Sequence, residues 1–174
     1  MEIIKIPAAR IGVLLGEEGN TKKLLERKCK VKIGVNADGD VEIDGDSADV
    51  FFAKDVVRAM GRGFDVEDAL LLLKETYQFQ LIDLKDVLKS DKAITRIKGR
   101  IIGEKGKMKM EIESAADCKL SIYGFTVGII APMDSVDFAR EALERMINGG
   151  EHAGVIAYLS KVKKDLFVER LRSK

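Results

Sequence analysis

Two short glycine runs hold the residues best suited to chemistry in this sequence. Gly16-Glu17-Glu18-Gly19 and Gly103-Glu104-Lys105-Gly106 each place two glycines around two polar residues, between an aliphatic segment and an amphipathic one. A turn of this kind between two helices suits a phosphodiester chain. A backbone lying across the junction leaves no room for a side chain at its closest approach, and glycine adopts the tight-turn angles without a Cβ penalty. The helix that follows offers free N–H groups and the positive end of its dipole to the phosphates. An isolated Gly-x-x-Gly is common in ordinary helix–helix turns, so its meaning depends on what surrounds it.

The surroundings come from an internal repeat. Gly12-Val13-Leu14-Leu15-Gly16-Glu17-Glu18-Gly19 aligns with Gly99-Arg100-Ile101-Ile102-Gly103-Glu104-Lys105-Gly106, 87 positions later. Cys29-Lys30-Val31-Lys32-Ile33 recurs as Cys118-Lys119-Leu120-Ser121-Ile122 at an offset of 89, and Phe52-Ala53-Lys54 as Phe138-Ala139-Arg140 at 86. Three blocks in one order at nearly one offset mark a tandem duplication.

Each copy reads as strand, helix, helix, strand, strand, helix. In the first, a strand over Glu2–Ile6 leads to a helix over Ala8–Leu15, with Pro7 acceptable at its first turn. After the glycine turn, Asn20 or Thr21 is expected to cap a second helix. Alternating strands follow at Val31–Val35 and Val41–Ile43, then a closing helix opened by Asp46 or Ser47 and stopped by Gly61 and Gly63. The second copy begins with a strand at Tyr77–Ile82 and has strands at Lys119–Tyr123 and Phe125–Ile130. Its closing helix runs over Ser135–Ile147. The expected organisation is therefore a first domain over 1–63, a connecting helix over 64–75, a second domain over 76–151 and a basic C-terminal helix over 152–174. The fold class is α+β, each copy a three-stranded sheet with helices on one face.

Composition narrows the chemistry further. Two cysteines and one histidine are too few for a disulfide framework or a Cys/His zinc site, and His152 has no nucleophile or second base to join. No phosphate-binding GxxxxGK[ST] is present. The expectation is a protein without catalytic activity, metal, cofactor or small-molecule substrate. No stretch reaches the roughly 18 apolar residues needed to span a bilayer, and no signal peptide precedes the first strand, so no membrane role and a cytoplasmic location are expected. Charged residues make up 34%, while Asn and Gln total five, the bias of hyperthermophile proteins.

The net charge of +1 hides a local contrast. Residues 96–109 carry six basic side chains against Glu104, a balance of +5, whereas residues 9–22 carry Arg10 and Lys22 against Glu17 and Glu18, a balance of zero. Cations supply most of the sequence-independent affinity for phosphates, so the second copy is the expected principal site. Lys23, Arg27, Lys28, Lys30 and Lys32 give the first copy a basic face, with solvated surface as the plainer reading. The last helix adds six basic residues between Lys161 and Lys174 against Asp165 and Glu169.

The doubled motif and its element order resemble KH domains of type I, which hold single-stranded nucleic acid by clamping about four backbone nucleotides at the GxxG loop. Lys98, Gly99, Arg100, Ile101, Ile102, Gly103, Glu104, Lys105, Gly106, Lys107 and Lys109 are then the expected RNA-binding residues. Gly12, Gly16, Gly19, Lys22 and Lys23 form a weaker second set. Further segments narrow the resemblance: Ala59-Met60-Gly61-Arg62-Gly63-Phe64, Glu67-Asp68-Ala69-Leu70, Ile82-Asp83-Leu84 and Met146-Ile147-Asn148-Gly149-Gly150-Glu151-His152. Over essentially its whole length the chain is similar to the archaeal branch of the Dim/partner-of-NOB proteins, two-KH factors of small ribosomal subunit assembly. The resemblance implies binding to small-subunit ribosomal RNA or its precursor near the 3′ end. It also implies a NOB-type assembly nuclease or a translation initiation factor as protein partner. Eukaryotic relatives carry an N-terminal extension, so partners recruited through it are not carried over. They also tend to lose the first-loop glycines, which here survive as Gly16 and Gly19. The competing readings are a messenger-RNA or translational regulator using the same groove, and a protein-interaction scaffold built on degenerate KH domains.

Overall fold

The computed structural model describes all 174 residues. They fall into two compact units, Met1–Phe79 and Gln80–Lys174. The first contains β1 (Glu2–Lys5), α1 (Ala8–Leu15), α2 (Asn20–Cys29), β2 (Lys32–Val35), β3 (Asp40–Asp44) and α3 (Ser47–Gly61). Its strands form an antiparallel sheet ordered β1-β3-β2, with Ile4 opposite Val41 and Ile33 opposite Ile43. Side chains alternate across a strand, so Ile33, Val41 and Ile43 are buried while Lys32, Gly34 and Glu42 face solvent. Leu14, Leu25, Ala53, Val57 and Met60 from the three helices complete this core.

The segment expected as one connecting helix is shorter than its apolar run suggests. Asp65 caps α4 (Val66–Leu70) by accepting the Asp68 N–H at 2.8 Å, and a single 3-10 turn over Leu71–Leu73 follows. Both pack on α3. The boundary between the units falls inside β4 (Tyr77–Asp83).

The second unit continues with α5 (Asp91–Ile102), α6 (Lys107–Ala115), β5 (Lys119–Tyr123), β6 (Thr126–Pro132), α7 (Val136–Ile147) and α8 (His152–Arg172). Its sheet is ordered β4-β6-β5, the same topology as the first. One cluster joins Ile97 and Ile101 of α5, Met108 and Ile112 of α6, Leu120, Val127 and Ile129 of the sheet, and Leu143 and Met146 of α7. Val155 and Leu159 of α8 belong to the same cluster. The C-terminal helix is therefore part of the core. Its far end is fastened by Arg170, whose guanidinium donates to both carboxylate oxygens of Asp134 at 3.0 Å and to Asp117 at 2.9 Å. Those hydrogen bonds hold the Asp134 carboxyl below the usual carboxylate range. No helix is long and apolar enough to cross a membrane.

One bracing contact repeats in both units. Glu26 on α2 accepts the Ile33 N–H at 2.9 Å and lies 3.9 Å from Lys22, while Glu113 on α6 accepts the Leu120 N–H at 2.9 Å and lies 3.8 Å from Lys109. Each carboxylate ties the helix after the glycine loop to the neighbouring strand. Two local expectations need correction. Asn20 and Thr21 do not cap α2: its N-cap is Gly19, because the glycine turn runs straight into the helix. Gly61 does not stop α3 but is its last residue, where a Cβ would fall 2.7 Å from Ile6 Cγ2.

A hydrogen bond to a charged acceptor contributes about 1.5–3 kcal/mol, whereas a half-exposed ion pair contributes well under 1. Glu113→Ala is therefore expected to lower the urea-unfolding free energy by about 2 kcal/mol and Lys109→Ala by less than about 0.5 kcal/mol. Equal losses would show that the ion pair, not the strand contact, is the brace. Burial pushes the Cys29 thiol up to about 11 and the Cys118 thiol to about 12. Neither is then expected to react with a thiol reagent at pH 8 before unfolding, since the thiolate is the nucleophile. Labelling of the native protein at the unfolded-state rate would refute this.

Candidate nucleic-acid interface

The two glycine loops share one backbone conformation. Gly16, Glu18 and Gly19 have φ of 71°, 51° and 76°, and Gly103, Lys105 and Gly106 have 72°, 52° and 74°. Three of four residues thus sit where L-residues rarely go. The first glycine of each loop combines its positive φ with ψ near 180° (179° and 176°), a region open essentially to glycine alone. A Cβ on Gly103 would also lie 2.7 Å from Met108 Cβ, and one on Gly16 would fall onto the Thr21 side chain. The second glycine differs. No atom lies within 4 Å of a Cβ built on Gly19 or Gly106. The first glycine is needed to make the turn, and the second leaves open space above it. No side chain caps α6, whose N-cap is Gly106 itself.

The residues expected at the second loop separate into two groups. Lys105 and Lys107 are exposed and make no ion pair, and Glu104 is exposed beside them. Gly99 and Ile102, one turn apart on α5, also face solvent, with no atom within 4 Å of a Cβ on Gly99. The remaining four are directed elsewhere. Ile101 is fully buried in the core. Lys98 donates to the Gly124 carbonyl at 2.8 Å, and Lys109 pairs with Glu113. Arg100 donates to the carbonyls of Met146 and Gly150, closing the C-terminal end of α7. Helix phase thus turns Arg100 towards the closing helix and Ile101 into the core, away from the exposed face of the loop.

His152 completes this clasp. Its Nε2 lies 3.0 Å from the Arg100 carbonyl, a contact that requires the ring N–H to donate. The first unit solves the same problem with Arg10, which donates to the Met60 carbonyl at 2.8 Å and to the Phe64 carbonyl at 2.7 Å. The arginine sits at a different repeat position in each copy, three residues apart, so on one helix face.

Sequence reasoning missed the stripe on α5. Lys92, Arg96, Gly99 and Ile102 follow one another at four- and three-residue spacing and are all exposed, so one helix face leads into the loop. The clue was available in the spacing from Gly99. With Lys105 and Lys107, this face presents four cations without ion pairs, and a missing side chain at Gly99 next to apolar Ile102. In the first unit, Gly12 and Gly16 occupy matching places, but Ala9 stands where Arg96 does and Lys22 is paired with Glu26. Lys23 is exposed on α2 beyond the loop. The first loop therefore keeps the turn and lacks the cations.

Comparison with known proteins identifies both domains. Residues 78–164 match the family described as eukaryotic type KH-domain (KH-domain type I), and residues 1–59 match the KH domain family. A KH domain-containing protein of Methanocaldococcus jannaschii is 42% identical over 171 residues, covering 95% of this chain and 75% of that protein. The pre-rRNA-processing protein PNO1 of Chaetomium thermophilum is 29% identical over 85% of this chain, which spans only 60% of the fungal protein. Among solved structures, the a/eIF2alpha-aDim2p-rRNA complex of Pyrococcus horikoshii contains a chain with a TM-score of 0.88 and 39% identity, covering 94% of both chains. Two domains of KH topology, each with its GxxG turn, and this identity along nearly the full length place the chain in the family of two-KH-domain proteins that includes Dim2p and PNO1.

Proposed function

We propose that the protein binds single-stranded RNA through its second KH domain, on small-subunit ribosomal RNA or its precursor, and acts by binding without catalysing a reaction. The observation that carries this reading is the Gly103–Gly106 loop. Open space lies over Gly106, Lys105 and Lys107 flank it unpaired, and the α5 stripe of Lys92, Arg96, Gly99 and Ile102 leads up to it. A phosphate backbone laid on this surface meets cations and the N-terminal end of α6, while bases reach an apolar edge at Ile102. Glu104 is the one like charge in its path. The ribosomal target is supported by the relatives: one is named for pre-rRNA processing and another is held in a complex with rRNA.

Crosslinking the protein to total cellular RNA and mapping the footprint tests the target. Enrichment near the 3′ end of the small-subunit RNA is expected, and messenger fragments without ribosomal enrichment would overturn it. The surface has its own tests. Neutralising about four phosphates gives a log–log salt slope of roughly −3, at about −0.7 per contact for single strands. Lys105→Gln with Lys107→Gln is expected to reduce that slope by about 1.4, and an unchanged slope rules this loop out. Gly106→Ala is expected to weaken RNA binding by tenfold or more while lowering stability by only about 1 kcal/mol, the cost of a left-handed residue. Wild-type affinity in that variant would mean that nothing approaches the space above Gly106.

A further inference from the structure

We propose that the outer face of α2 in the first domain is a second RNA-backbone contact, separate from that domain's acidic loop and resting on the RNA-binding reading above. The repeat brings this face into view. The matching contacts Glu26–Ile33 and Glu113–Leu120 set the structural offset here at 87 rather than the 89 of the cysteine match, so Arg27, Lys28 and Lys30 correspond to Ser114, Ala115 and Asp117. In the second domain α8 packs against this stretch: Ala115 is buried, Ser114 and Asp117 stay exposed at the edge of a cleft with Leu166 and Phe167, and Asp117 is paired with Arg170 at 2.9 Å. The first domain has no such cover, because the helix that follows its closing helix, α4, packs on α3.

What stands exposed instead is cationic. Lys23, Arg27, Lys28, Lys30 and Lys32 all face solvent without an ion pair, whereas Lys22 is paired with Glu26. Residues 22–32 therefore carry a balance of +5, equal to that of residues 96–109 around the second loop. This occurs in a unit with 12 basic residues against 15 acidic ones over residues 1–79. Lys23, Arg27, Lys28 and Lys30 are gathered on α2 and its C-cap rather than averaged over the surface, while Lys32 stands on the solvent face of the sheet. The helix macrodipole accounts for Arg27 and Lys28 in the last turn of α2. It does not account for Lys23 in the first turn, where a cation is disfavoured, or for Lys30 and Lys32 beyond the helix.

The chemistry of the face selects its occupant. The large exposed apolar side chains of this unit, Met1, Ile3, Val13 and Phe51, lie on the N-terminus, β1, α1 and α3, and none is on α2. A protein helix docking here finds no apolar surface to bury, whereas a phosphate chain needs only the cations. Two basic faces would let the protein hold one RNA at two places. The second-domain loop would grip a single strand, and the first-domain face would follow backbone of any sequence.

The test uses the full-length chain carrying Lys23→Gln, Arg27→Gln, Lys28→Gln and Lys30→Gln, with thermal unfolding confirming an intact fold. Binding is measured against a single strand of about 8 nucleotides and an RNA of about 40 nucleotides across a salt series. The variant is expected to bind the short strand like wild type. On the long RNA it is expected to lose about tenfold in affinity and up to about 2.8 in slope, four contacts at about 0.7 each. Unchanged affinity and slope on the long RNA would overturn the proposal. Lys105→Gln with Lys107→Gln, run in parallel, reports on the other site. If that pair leaves short-strand binding intact, the second-domain reading fails independently of the α2 result.

Discussion

The polypeptide reverses between two helices in four residues, and three of the four must take positive φ. That constraint shapes both domains. It demands glycine first, where φ and ψ together admit nothing else and Met108 or Thr21 closes the space a Cβ would need. It lets α6 and α2 start without a capping side chain, the first N–H of each donating instead to the Glu104 or Glu17 carbonyl of the loop. It tolerates a non-glycine residue at the third position, where Lys105 and Glu18 carry the strain. With the backbone alike in the two copies, the difference between them reduces to charge. The same turn is neutral and flanked by cations in one domain and anionic in the other.

Charge is distributed by domain as well as by loop. The second domain concentrates its unpaired cations along α5 and at its loop, while Lys98, Arg100 and Lys109 serve structural contacts. The first domain places its unpaired cations on α2. Duplication supplies identical scaffolds, and once a fold is stable its exposed positions are free to diverge, since surface substitutions shift stability little. The helix after the glycine loop packs against α8 in one copy and carries exposed cations in the other.

Much of this was legible from residue order. The repeat identified two domains, period-two runs located the strands, and the Lys-rich stretch pointed to the second loop. The failures were those of side-chain direction. Counting charges across residues 96–109 cannot separate Lys105, free in solvent, from Arg100, spent on one carbonyl in the last turn of α7 and one just beyond it. Helix phase carries that distinction, and it becomes decisive only once the position of α7 is known. Arg10 and Arg100 show why alignment does not reveal it either: they do one job from positions that do not align. The basic tail read as an appendage because its cations are conspicuous, whereas Val155, Leu159, Val162 and Leu166 at helical spacing bury it.

The clasp between α5 and the α7–α8 junction has a consequence for entropy. Arg100 grips the end of α7 through its side chain, and His152 grips Arg100 through its backbone carbonyl, three residues before Gly103. The last turn of α5 is thereby immobilised at the point where the loop begins. A loop hung from a frayed helix end would have to be ordered each time a ligand arrived, at a cost subtracted from affinity. Here that ordering is completed when the domain folds. The C-terminal helix thus bears on the order of the loop through its first residue, His152.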